Sequence, residues 1–192
     1  VKLDGNQNLI SYVRGKQLNV FNHPATGKYI NYWQGLPKIG LVPEKSELSL
    51  SGLGYIASGA VMLESNRDST YRIRLFGTAN VRRWGFEATN TVLFDYVAPQ
   101  NQLQLAGIFE ALHAMPCGVV LVGQELYTSG QILDIETALF PVRAPEGQSP
   151  VLFGLMSSLV TRQPSMPDAV LASAFYKINS VTYLNVGGGI PA

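Results

Sequence analysis

The sequence predicts an α+β protein, a five-stranded antiparallel sheet with helices on one face. Three observations carry that expectation. Tyr71, Ile73 and Leu75 alternate with Arg72 and Arg74 at the period of a half-buried strand. Leu105, Ile108, Phe109 and Leu112 recur at the spacing of one helix face. After them come three strand-like runs joined by turn-rich segments, with no alternation of strand and helix that would build a parallel sheet.

Taken in order, residues 1–22 mix Asn, Gln and Gly with isolated apolar residues and read as an extended flank. Pro24 opens an amphipathic helix with Thr26, Tyr29, Ile30 and Trp33 on one face, and Pro37 ends it. Tyr55 to Leu63 reads as a strand and pairs with 71–75 across the Asn66-Arg67-Asp68 turn signal. Residues 78–97 are aperiodic, with Trp84, Phe86, Phe94 and Tyr96 in short helical turns. Asn101 and Gln104 are spaced to cap the long helix, which Pro116 and Gly118 terminate. The runs 118–127, 131–142 and 151–160 then form a meander. Beyond Pro164 and Pro167, the spacing of Leu171, Ala174, Phe175 and Ile178 predicts one more helix.

Composition narrows the function. At 192 residues with 46% hydrophobic side chains, the chain has material for one cored domain plus flanks. Charged residues are only 14%, about half the usual share, so neutral and apolar surface is expected and with it a homodimer; Tyr29, Tyr32 and Trp33 on the opening helix are the surface expected to dock, if they do not pack on their own sheet. A net charge of +1 gives no field for nucleic acid. One cysteine, Cys117, and two histidines exclude an internal disulfide and a cysteine-based zinc cage. No apolar run is long enough to span a bilayer, and a cytoplasmic location is expected.

Four segments in order resemble a known family. They are Tyr32-Trp33 on the opening helix; Tyr71-Arg72-Ile73-Arg74-Leu75-Phe76-Gly77-Thr78; Gly85, Thr89 and Leu93; and Leu133-Asp134-Ile135-Glu136 with Leu139-Phe140-Pro141-Val142. Together, over residues 23 to about 159, they resemble the bacterial PAS-like domains of the alphaproteobacterial type. Two departures stand out: Asn90 occupies a position that is usually Gly, and residues 38–43 replace a basic segment. The resemblance implies a PAS-like domain over 23–163, an N-terminal flank over 1–22 and a C-terminal extension over 164–192. It also implies a small cavity between the sheet and the helices, and a sensory or signalling role exercised by binding a small ligand or a protein partner rather than by catalysis. A purely structural or dimerising scaffold with a filled core is the alternative.

The cavity lining expected from that resemblance is Tyr71, Ile73, Leu75, Trp84, Phe94, Ile108, Phe109, Leu112, His113 and Ile135, with Leu133 beside them. No cofactor is assigned. Haem-binding PAS domains carry a proximal histidine on the long helix, but His113 sits at the edge of the apolar stripe. Photosensory PAS domains carry their reactive cysteine in an Asn-Cys-Arg-Phe type motif, which Cys117 lacks. Asp134 and Glu136 alternate onto one strand face, where an acid–base pair could form or where Glu136 could anchor a ligand or an arginine. Gly52-Leu53-Gly54-Tyr55-Ile56-Ala57 has letters in common with a dinucleotide fingerprint, but a polar loop precedes it rather than a strand. Any output is expected to pass to a separate effector protein.

Overall fold

Ten consecutive residues decide where the sheet lies: from Leu133 to Val142 every side chain except Asp134 is buried, although strand geometry sends alternate ones to opposite faces. Such a strand needs cover on both sides. The computed structural model describes residues 2–3, 9–13 and 16–19 by their backbone, and residues 21–66, 69–159 and 169–191 in full.

Strands β1 (Lys2–Leu3), β2 (Leu9–Val13) and β3 (Lys16–Asn19) form a small antiparallel sheet of their own. Helix α1 (Pro24–Gly35) begins with Pro24 in the first turn and His23 as its cap, whose Nδ1 accepts from the Ala25 amide at 3.2 Å. A ribbon of β4 (Lys38–Ile39) and β5 (Val42–Pro43) and the short helix α2 (Leu50–Leu53) lead to β6 (Ala60–Ser65) and β7 (Tyr71–Phe76). The chain then crosses one face of the sheet through α3 (Thr78–Trp84) and α4 (Pro99–Ala114). It returns as β8 (Cys117–Tyr127), β9 (Ile132–Val142), β10 (Val151–Ser158) and β11 (Leu171–Asn185). The main sheet is antiparallel throughout, in the order β11-β8-β9-β10-β6-β7.

The α+β class and the antiparallel sheet are as the sequence predicts, but four details differ. The sheet has six strands, because residues 171–185 form β11 rather than a helix. The pairing of β11 with β8 shifts register three times: the first and last shifts each insert one residue and invert the inward parity, and the middle one inserts two. Buried positions therefore fall three or four apart and imitate a helix face. Second, the helices lie on both faces. Helices α3 and α4 cover one core with Trp84, Leu105, Phe109 and Leu112, whereas α1 covers the other with Tyr29, Ile30 and Trp33 against Phe140 and Phe153. Third, residues 54–59 are a 3-10 turn and the strand starts only at Ala60. The fingerprint-like glycines thus sit in consecutive short helical turns, led into by the 3-10 turn Lys45–Glu47 rather than by a strand.

Fourth, α4 starts three residues earlier than the capping pattern suggests, with Ala98 rather than Asn101 at the N-cap, and Asn101 has a different task. Its Nδ2 donates to the carbonyls of Phe175 at 2.7 Å and Tyr176 at 3.1 Å, fastening α4 to β11. The C-terminal segment is therefore built into the core: Leu171, Ala174, Phe175 and Leu184 are all buried. A chain ending at residue 163 loses these contacts, each large side chain being worth about 2–5 kcal/mol against a typical total stability of roughly 5–15 kcal/mol. Thermal melts followed by circular dichroism are expected to show a non-cooperative or strongly lowered transition for that truncation; an unchanged melt would contradict this account.

Candidate functional site: the interior between α4 and the sheet

The chain between β7 and β8 brings most of the predicted lining to one place. Tyr71 and Ile73 enter from β7, Trp84 from α3, Phe94 from the turn Leu93–Asp95, Ile108, Phe109 and Leu112 from α4, and Ile135 with Leu133 from β9. Tyr71 is the hub. Its ring meets Phe109 edge-on at 4.9 Å and Phe94 at 6.2 Å, and lies parallel to His113 at 6.2 Å with 4° between the planes. Burial pushes the Tyr71 hydroxyl up to about 12, against a hydrogen bond from Ser65 that acts the other way.

Leu75 does not join them. Leu63 pairs with Ile73 and Met62 with Leu75, so Arg74 is an unpaired bulge residue and the alternation of β7 inverts there. Phe76 takes the inward place and packs on Trp84 at 4.6 Å, while Leu75 packs with the α1 core. Nearby, Asn90 adopts φ 71, a left-handed conformation that asparagine tolerates. Glycine adopts the same conformation without strain, so either residue suits this turn. Asn90 in turn receives Arg72 at its carbonyl (2.6 Å) and Arg74 at Oδ1 (3.0 Å).

The space enclosed is small. The cavity lined by Ile73, Trp84, Phe109, Thr137 and Phe175 among others has a volume of about 10 Å³, and a second, beside Glu125 and Ile135, is about 10 Å³ as well. That is the lower limit for one water molecule. A porphyrin or an isoalloxazine ring does not fit between these side chains. Thr137 lines both cavities, and its Oγ1 has no hydrogen-bond partner among the described residues. His113 Nε2 is also buried without one, and burial lowers its pKa to about 4.

Sequence reasoning missed a buried polar cluster beside this core. Glu125 accepts Arg83 Nε at 2.8 Å, Trp84 Nε1 at 2.7 Å and the Tyr127 hydroxyl at 2.7 Å. Arg83 Nη1 also donates to Asn80 Oδ1, whose amide donates to the carbonyls of Gly59 and Ala60. Burial and the adjacent Glu125 raise the Tyr127 pKa far above its ordinary value. One signal was available: Glu125 has the parity of Cys117, Val119 and Leu121, which face the same core. Arg83 lies in the aperiodic stretch, where no pattern marks it.

The two carboxylates of β9 part company. Asp134 is exposed and accepts Gln124 Nε2 at 3.0 Å, whereas Glu136 is fully buried. Glu136 accepts the Asn22 amide at 2.6 Å, Asn22 Nδ2 at 3.0 Å and the His23 amide at 2.9 Å. Its inward side chain thus anchors the backbone leading into α1 rather than an arginine. Cys117 is buried at the start of β8, and burial raises its thiol pKa.

Sheet order, crossover helices and interior together define a mixed α/β fold of the PAS-like kind, and the comparison of sequences agrees. A sequence model of the PAS domain family matches residues 21–157, and the chain belongs to that family. No curated protein matches it. The match ends within β10, so β11 lies outside it.

His113 supplies a test of the interior. Its folded pKa of about 4 lies below the ordinary 6.5, so the unfolded chain takes up the proton first as pH falls. Its contribution is intact above pH 6.5 and is lost between about 6.5 and 4. Urea unfolding across that window is expected to show His113→Leu declining less with acid than the parent; parallel declines would refute it.

Proposed function

We propose that the chain is a non-catalytic PAS-type sensory or interaction module with a packed interior, which works through its surface. The observation that carries this reading is the enclosed volume of about 10 Å³ between α4 and the sheet, where small-molecule sites usually offer about 300 Å³ or more; the cleft of about 590 Å³ that Phe94 also lines, at the start of α4, is open to the surface. In this reading Tyr71, Ile73, Trp84, Phe94, Ile108, Phe109, Leu112 and Ile135 serve as a core whose packing sets the position of α4, rather than as ligand contacts. The module is residues 23–163 with 1–22 as a flank; the extension 164–192 contributes β11. Its nearer kin are the single-domain alphaproteobacterial PAS-like proteins, and its place is the cytoplasm. Among the described residues no helix is long and apolar enough to cross a membrane.

The first partner proposed is a second copy of the chain, with a separate effector protein receiving the output. The low charge fraction and exposed Leu103 and Tyr55, at 86% and 72%, support such contacts. Tyr29 and Trp33 are 0% and 1% exposed against their own sheet, so docking through the aromatic face of α1 is replaced by docking elsewhere.

Two measurements test the reading. Phe109→Ala is expected to cost about 3–5 kcal/mol in chemical unfolding, as truncation in a packed core does. A cost below about 1 kcal/mol would mark the interior as adaptable space for a guest and sink the packed-core reading. Sedimentation at tens of micromolar is expected to give a dimer mass, and a monomer would remove the second copy from the proposal.

A further inference from the structure

Where β10 runs out, α1 and α3 approach the end of the sheet from opposite faces and leave a cleft of about 250 Å³. It lies outside the helix–sheet interior and is larger than either cavity there. Its walls include His23, Ser58, Arg83, Ser157 and Ser158.

The chemistry of the walls is one-sided. Ser158 Oγ is buried and has no hydrogen-bond partner among the described residues. His23 Nδ1 accepts the Ala25 amide, so the neutral ring carries its proton on Nε2 and offers a donor there. Arg83, 5% exposed, commits Nε and Nη2 to Glu125 and one Nη1 proton to Asn80, and a guanidinium with five N–H groups has another Nη1 proton to give. No carboxylate lines the cleft among the described residues. The two closest by connection, Glu125 and Glu136, are each engaged by three donor residues or groups.

We propose that this cleft binds a small oxyanion, a carboxylate or a phosphate carried on a molecule of about eight heavy atoms, taking the cleft as roughly eight water volumes. The anion accepts from Ser158, His23 and Arg83. A guest held there touches α1 and α3 together, so it ties the covers of the two sheet faces to each other. This goes beyond the surface-interaction role proposed above and does not depend on it.

The test is isothermal titration of the full chain with inorganic phosphate, acetate and succinate, at ionic strength held constant with sodium chloride. Saturable one-to-one binding of at least one probe is expected, weakened at least tenfold by Ser158→Ala and by Ala79→Leu. The first removes the unpartnered hydroxyl. The second narrows the cleft from α3, since Ala79 is part of the lining. Binding of phosphate alone assigns phosphoryl ligands, and binding of the carboxylates alone assigns carboxylic acids. If no probe saturates below about 10 mM, or if binding survives both substitutions unchanged, the proposal is overturned.

Discussion

Two-sided burial of β9 and β10 is the constraint from which the rest of the architecture follows. A strand buried on one face only can lie on the surface of a two-layer domain, but these two carry apolar side chains outward as well as inward: Ala138, Phe140, Phe153 and Leu155 face α1, while Leu139, Leu152 and Met156 face the crossover helices. Exposing either set would place several large side chains in water, at roughly 1.5–3 kcal/mol each. Helix α1 is therefore as much part of the core as α4. Its position is fixed by Glu136, which reaches out of the sheet to hold the two residues before it, and by Tyr29 and Trp33, which donate to the carbonyls of Phe153 and Pro141.

The buried charges obey a related constraint. Arg83 and Glu125 are among the most enclosed polar residues, and a lone charge in that environment would cost several kcal/mol. Each is satisfied by the other and by neutral partners, Asn80 for the guanidinium and Trp84 and Tyr127 for the carboxylate. Because the partners come from α3 and β8, and Asn80 in turn binds carbonyls at the start of β6, the network fixes the angle at which α3 crosses the sheet. Hydrophobic packing alone tolerates sliding, whereas a forked ion pair at 2.8 Å has one geometry.

Legibility in the sequence followed this same division. Segments with an unbroken pattern were readable: the face of α1 and the Ile108–Leu112 stripe of α4 keep one helical period, and the three meander strands are apolar-rich runs bounded by turn segments. What could not be read was interrupted parity. The bulge at Arg74 sends Leu75 to the opposite core, and three register shifts in β11 disguise a strand as a helix. Helix α1 was recognisable, but nothing in its own pattern says which face of the sheet it covers; that information is in the outward residues of β9 and β10. Most of the expected interior residues meet where the sequence places them, while the polar groups around Arg83 come from separate segments whose meeting no local pattern announces.

A packed interior also limits how such a module can respond. A ligand shifts an equilibrium only by the difference in its affinity for the two states, so a guest that must first separate α4 from the sheet pays for the lost packing around Phe109 before it gains anything. A contact at the periphery, where α1 and α3 meet the end of β10, needs no such separation. The same rigidity then transmits the effect. Helix α4 is tied to β11 by Asn101, and α3 to β8 by Arg83, so displacement of either helix must be shared with the strand it grips. On the proposed surface-acting reading, the dense core is what would couple one surface contact to another.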